Sequence, residues 1–407
     1  MTNSTALLKM AHGTKDKKMS ETIVLHQPTS PTRASRPVSL AIAGSFLLAA
    51  FALSTAAVRL SQTWQVLVVF ALGACLAFGG AALAKRWPLI GLCLARERQF
   101  LMVGSLFCAA LYPWYATDPY QVHVVAVAGI FALMAIGLNV TTGYAGLADF
   151  GYIVYYAIGA YTSALLNAKY GWSFWLTLPA AALMAAILSI PASIPAIRVR
   201  GHYLALVTLG YSYIVIQLIT NMQSVTGGTQ GISGIEPPSL FGHSFQAPIT
   251  AFGYTLPYQA NFYYLVLILL TLAVIACAQL SASRWGRTWA AMRNDEVAAN
   301  SSGLRLPKLK LMAFATGASL GGAAGAIYAH MVGFIDPSTF RHIDSIFLLA
   351  IVAIGNWRIG GVIASALLFT ILPEKLRAFE DWRLLIFGTV LLIVMLLRGR
   401  QMVQSRG

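Results

Sequence analysis

Charge is scarce in this chain. Asp, Glu, Lys and Arg make up 10% of its 407 residues, against about 25% in soluble domains. A soluble protein of this length would form two or three domains, and there is too little charge here to cover their surfaces. Cysteine is also rare. Cys75, Cys93, Cys108 and Cys277 are scattered in or beside apolar runs without paired spacing, which argues against a disulfide framework or a zinc site. The seven His are equally dispersed, so no metal cluster is visible. No G-x-x-x-x-G-K-[ST] phosphate loop exists, and no lysine is followed by Ser or Thr. ATP hydrolysis by this chain is therefore not expected. An H-E-x-x-H helix is missing too.

Apolar sequence is abundant, at 58%. A bilayer core of ~30 Å takes ~20 helical residues. On that criterion spans fall near 38–58, 64–84, 99–116, 120–139, 148–167, 173–193, 203–223, 262–283, 309–331, 345–356, 360–372 and 383–397. The last three are short, and the pair around Asn356, Trp357 and Arg358 also reads as one broken or re-entrant hairpin. The expected fold class is all-α, a polytopic transmembrane helix bundle of roughly ten to twelve spans with broken or re-entrant segments.

The net charge of +15 raises the question of nucleic-acid binding. The distribution argues against it. Lys and Arg fall in short clusters between apolar runs: before the first span, at Lys85 to Arg98, at Arg198 and Arg200, throughout 284–310, and at the end of the chain. With twelve crossings all these clusters lie on one side, the cytoplasmic one, and both termini are cytoplasmic. Ser224 to Ala260 holds no Lys or Arg and is rich in Gly, Ser, Thr and Pro. It reads as an external loop long enough to be functional.

Residues 1–36 are polar and read as a disordered cytoplasmic tail,. The stretch after them resembles a signal-peptide core, but its basic lead is long for that role, and an uncleaved first span is preferred. The expected domains are therefore the tail 1–36, two extra membrane helices over 37–98, and a membrane core over 99–407.

Inside the spans, Gly317, Gly321 and Gly325 recur every fourth residue. That stripe lets two backbones touch. It lies beside a path or, the favoured reading, serves plain helix packing. Gly143, Gly146, Gly151 and Gly159 interrupt apolar sequence around Asp149. A helix interruption near an acid suits a binding or gating element. A solvated interfacial acid starting a helix fits equally well. Pro191 and Pro195 should kink or end the sixth span,. The spans hold few ionisable groups, with Asp149 and His123 as weak relay candidates, so an ion-coupled carrier is disfavoured.

The 284–310 loop gathers Arg293, Asp295, Glu296, Arg305, Lys308 and Lys310 in a chain that otherwise avoids charge. Asp295 can cap a helix over 296–302, Gly303 can end it in a left-handed conformation, and Pro307 prevents easy continuation into the next span. A short, capped, charged knob on the cytoplasmic side suits docking into a partner's groove.

Here the residues carry a resemblance. "VAANSSG" at 297–303 is similar to the Glu-Ala-Ala, three spacers, Gly loop of ABC import permeases, with Val297 at the Glu position and Glu296 one residue early. "GRTWAAMRNDEVAANSSGL", "GYIVYYAIGAY", "RVRGHYLALVTLGYSYIV", "TGGTQGISGI", "MVGFIDPSTFRHIDS" and the closing "LPEKLRAFEDWRLLIFGTVLLIVMLLR" resemble, in order, the LivM-type branched-chain amino-acid permease family. One departure stands out. "AIGNWRIGG" replaces the family's glycine-rich turn, with Trp357 and Arg358 in its place. The resemblance implies the permease subunit of an ATP-driven, binding-protein-dependent importer in the bacterial inner membrane. Its cargo would be Leu, Ile or Val. Urea or short amides are the alternative, and an ion-coupled secondary carrier a more distant one. The partners implied are a second related permease, two cytosolic ATPase subunits that hold ATP and Mg, a periplasmic amino-acid-binding protein, and membrane lipid, with no cofactor in this chain. By the same carry-over Arg293, Asp295, Glu296, Ala298, Ala299, Gly303 and Leu304 would meet the ATPase. Thr226, Gly227, Gly228, Gly231 and Ile232 would face the binding protein, and Gly143, Gly146, Asp149, Gly151 and Gly159 would shape the path.

Overall fold

The computed structural model describes residues 98–375 except 117, 200, 241, 252 and 253, together with 388, 389 and 392. The expected spans at 38–58, 64–84 and 383–397 and the polar tail lie outside the described residues. The chain divides into two compact units, 1–52 with 71–105 and 53–70 with 106–407.

Long apolar helices dominate the second unit. In chain order the described helices are α1 (Arg98–Tyr115), α2 (Pro119–Leu138), α3 (Ile153–Tyr170), α4 (Phe174–Arg198), α5 (His202–Asn221) and α6 (Gln259–Ala282). Then come two short helices, α7 (Arg284–Asn294) and α8 (Glu296–Ser301). The long α9 (Leu306–Val332) follows, and α10 (His342–Ile354) and α11 (Ile359–Lys375) close the series. Six helices among the described residues are long and apolar enough to cross a membrane.

α2 and α9 form the centre. α2 starts where Asp118 accepts a bond from the Tyr120 amide and Pro119 occupies the first turn. Both choices suit a helix start. α2 is apolar all round, as a helix inside a bundle must be. α9 packs along α4, α3 and α2. Its small residues permit this. A Cβ on Gly159 of α3 would stand 2.1 Å from the Gly322 carbonyl oxygen of α9, so the two backbones touch. Within the stripe, a Cβ on Gly325 would stand 2.1 Å from the Tyr156 carbonyl oxygen of α3 and one on Gly317 2.8 Å from the Gly137 carbonyl oxygen of α2, so the stripe serves helix packing. Gly159, expected on the path, is part of that crossing. The G-A-S-L-G run at 317–321 lies mid-helix, where Ser319 donates back to the Thr316 carbonyl. It is no strand-to-helix elbow of the kind that exposes a nucleophilic serine.

Three expectations need correcting. The fourth helix runs through Pro191 and Pro195 to Arg198 rather than ending at them. Prolines are tolerated inside packed membrane helices. Ser189 and Ser193 donate to the Ala186 and Ile190 carbonyls beside them, and Lys310 of α9 donates at 2.8 Å to the Ala196 carbonyl in the last turn. The span expected from 148 begins at Ile153 instead. Before it, a π-helical turn (Asn139–Tyr144) and an irregular stretch containing left-handed Gly146 break the path between α2 and α3. The expected helix over 296–302 closes at Ser301.

The 345–356 and 360–372 pair is realised as α10 and α11, two helices joined by a tight turn and both packed on α2. α10 itself has 13 residues, and together with the turn that leads into it, Pro337–Ile354, it makes the 18-residue stretch counted among the six. In the connecting turn Asn356 and Trp357 have φ of 56° and 58°. A left-handed conformation is costly for residues with a Cβ, on the order of 1–3 kcal/mol each.

Candidate functional site

The basic knob is built from α7 and α8. α6 ends at Ala282, and the Ser283 hydroxyl accepts from the Gly286 amide to start α7. α7 buries Trp289 and Met292, and the Trp289 indole N–H donates to the Leu309 carbonyl at 3.0 Å. Asp295 then turns the chain in an extended conformation. Its Oδ1 accepts from the Val297 and Ala298 amides at 2.8 and 3.1 Å. Gly303, at φ 82°, ends α8, and the Leu304 amide donates back to the Ala299 carbonyl. These closures satisfy orphan groups at both ends of a helix too short to persist alone.

The knob is anchored from beneath. Lys310, expected to be a loop cation, is buried in α9 and holds Glu296 Oε1 at 2.9 Å. The same ammonium caps the last turn of α4 through Ala196, where a cation complements the helix C-terminus,. Ala299 faces the interior, only 4% exposed. Glu296 and Ala299 therefore belong to the base of the knob, not to its outer face. What the knob presents is Val297, Ala298, Ser301, Ser302 and Gly303, all exposed, with Leu304 half-buried. A groove of about 480 Å³ lies alongside, lined by Asn300, Gly303, Leu304, Arg305, Pro307 and Lys308.

Arg293 points elsewhere. Its guanidinium donates to the Gly143 carbonyl, and its Cζ stands 5.4 Å from the Trp357 ring centroid. A Cβ on Gly146 would meet Arg293 Cγ at 2.7 Å. Asn139 of the same π turn donates to the Trp357 carbonyl at 3.2 Å. Two expected path residues, Gly143 and Gly146, are thus brought against one expected docking residue.

Asp149 is fully buried rather than solvated at an edge. Its Oδ1 accepts from the Gly151 amide at 3.0 Å, and its Oδ2 has no hydrogen-bond partner. Tyr152, not Asp149, occupies the cap position of α3. Gly151 lies against the Thr208 carbonyl of α5, and the Thr208 hydroxyl accepts from the Phe150 amide. This stretch is a packed break in the membrane path.

At the opposite end the glycine-rich motif folds inward. Thr226 is buried, with its hydroxyl 2.6 Å from the Ile219 carbonyl. Gly227, Gly228 and Gly231 all have positive φ. A Cβ on Gly231 would stand 2.1 Å from the Ile335 carbonyl oxygen. Ile232 pairs with Ile335 in a short antiparallel ladder between 232–233 and 334–335. Thr226, Gly228, Ile232 and Ile335 are thus turned inward, and the exposed positions nearby include Thr229, Gln230, Ser233, Gly234 and Glu236. Lys169 braces this end by donating to the Ser224 and Val225 carbonyls. Buried His330 joins it to the bundle, with Nδ1 2.6 Å from the Glu236 carbonyl and Nε2 2.9 Å from the Ser163 hydroxyl.

Sequence reasoning missed Trp289, His330 and Lys169, and read Lys310 only as one more cation of the basic loop. The one available signal was Lys310 and His330 standing within or beside the apolar run that forms α9.

An all-α, multi-pass membrane protein with a capped, anchored helix exposed at one end is the class these features define. Residues 120–395 match the family described as branched-chain amino acid transport system / permease component, and the chain belongs to that family. It is 37% identical over 315 residues to the high-affinity branched-chain amino acid transport system permease protein LivM of Escherichia coli, covering 74% of each chain. The LivM protein of Salmonella typhimurium is 36% identical over 324 residues, with 76% of each covered. A probable branched-chain amino acid transport permease protein LivM of Methanocaldococcus jannaschii is 21% identical over 287 residues, 62% of this chain and 80% of the relative. No solved structure matches.

Proposed function

We propose that this chain is the permease subunit of an ATP-driven, binding-protein-dependent importer for branched-chain amino acids in a bacterial inner membrane, with both termini cytoplasmic. Its core over 99–407 pairs with a second related permease. Two cytosolic ATPase subunits carrying ATP and Mg grip α8, and a periplasmic binding protein delivers the amino acid at the opposite end.

The observation that carries this reading is the anchored knob. Lys310 and Glu296 fix its base to α4 and α9, while Val297, Ala298 and Ser301 are exposed. A rigid exposed handle joined to membrane helices can receive a push and pass it on. It lies at the same end as Arg198, Arg284, Arg305 and Lys308, the end that faces the cytoplasm by the positive-inside rule. The exposed apolar flanks of α5 and α6, such as Leu206, Ile214, Ile268 and Leu272, suit lipid and a partner permease.

Proteoliposomes containing this chain with the subunits that co-purify with it should take up labelled leucine only when ATP and the binding protein are supplied. Leucine uptake by this chain alone, driven by an ion gradient, would defeat the proposal.

A further inference from the structure

An importer needs a route by which a push on α8 reaches the membrane segments, and the surroundings of Arg293 supply one. α7 and α8 are joined through Asp295 alone, and Arg293 is the penultimate residue of α7. Resting on the function proposed above, we infer that Arg293 is a positioning residue that carries movement of α8 to the broken end of α2, with Trp357 as the surface that holds it.

Three stretches distant in sequence meet at this point. Arg293 donates to the Gly143 carbonyl and lies over the Trp357 ring. Gly143 belongs to the π turn Asn139–Tyr144 that ends α2. A Cβ there would meet Asn139 Oδ1 at 2.0 Å and Trp357 Cε3 at 3.2 Å, so the packing admits no side chain. Asn139 closes the triangle through the Trp357 carbonyl. The residue is exposed, yet its guanidinium is engaged with the bundle through these contacts.

The site has the properties of an element with two arrangements. π turns are less regular than α-helix and occur often at functional positions. Trp357, next to left-handed Asn356, holds a left-handed backbone that its bulky side chain disfavours,. Asn139 Oδ1 is buried without a donor. A cavity of about 400 Å³, lined by Gly143, Tyr144, Ser281 and Arg293 among others, adjoins the contact and gives the side chain room to leave it. Coupling needs such a bistable element rather than a rigid rod.

The test uses the transporter assembled from this chain and its co-purifying subunits, comparing Arg293→Gln and Trp357→Gly with the parent. Glycine suits the left-handed backbone at 357, so that variant removes the ring without adding backbone strain, and Arg293→Gln, which leaves the ring in place, keeps the test independent of any loss of packing there. Both variants should keep ATPase association and ATP hydrolysis within about twofold while lowering leucine uptake per ATP by about tenfold or more, the range of a typical coupling energy. Arg293→Lys keeps the charge but not the planar fork and should fall between. Parental uptake per ATP in Arg293→Gln overturns the inference. So does loss of ATPase association in step with uptake, which would make Arg293 a docking residue. Ala298→Trp, measured alongside, separates the two readings. Undiminished association there defeats the role of α8, whereas the uptake-to-hydrolysis ratio at Arg293 judges the latch.

Discussion

The two ends of the bundle carry loops that look alike in sequence. Each is polar, punctuated by glycine and set between apolar helices, and each suggests docking. The structure separates them. At the basic end the motif turns its small and polar side chains outward from an anchored base, and a Cβ on Gly303 would meet nothing within 4 Å. At the other end the motif turns inward, and Gly231 has the Ile335 carbonyl where its Cβ would be. Both glycines have positive φ, at 82° and 72°. One ends a helix in open space, and the other lets two strands touch. A glycine motif thus marks a backbone requirement, and only the surroundings say whether the residues near it can meet a partner.

The sharpest way to break this contrast is to remove the anchor at the basic end. Lys310→Met leaves Glu296 and the Ala196 carbonyl without their buried cation. Breaking such a pair from one side costs roughly 3 kcal/mol or more. Thermal unfolding in detergent should shift down, and proteolysis within 284–310 should accelerate. Parental melting and proteolysis would show the knob to be unanchored.

Gly231→Ala comes next. Gly231 sits at φ 72° and ψ −163°, a region essentially reserved to glycine where Ala costs on the order of 1–3 kcal/mol, and the overlap with Ile335 adds a term of similar size, on the order of 3 kcal/mol or more together. Gly303→Ala bears only a backbone cost, roughly 1–2 kcal/mol. Melting curves for the pair should therefore separate, and equal shifts would erase the distinction drawn between the two ends. The smallest stability effect belongs to Ala298→Trp. Its side chain is exposed, so stability should change by about 0.5 kcal/mol or less. Co-purification of the ATPase subunits should nevertheless fall, because the bulk sits on the face offered to them.

Local chemistry was legible. Asp295 as a cap and Gly303 as a left-handed stop depend on residues within a few positions, and the structure has both. Contacts between distant residues were not. Lys310 looked like one more interfacial cation because its partner Ala196 lies 114 residues away. The turn at 355–358 drew attention by its composition, but nothing in that composition announced that Trp357 would be left-handed or lie under Arg293. Asp149 was ambiguous until α5 was seen to cover its neighbours.

Composition and spacing alone settled that the chain is a bundle of membrane helices, because lipid admits only backbones that satisfy themselves and penalises exposed charge. They also settled the short capped helix, whose hydrogen bonds are local. Only the folded chain decided which polar residues face outward and which are spent on the interior. Burial is a property of what packs opposite, and for Lys310, Arg293 and Gly231 the opposing atoms come from distant parts of the chain.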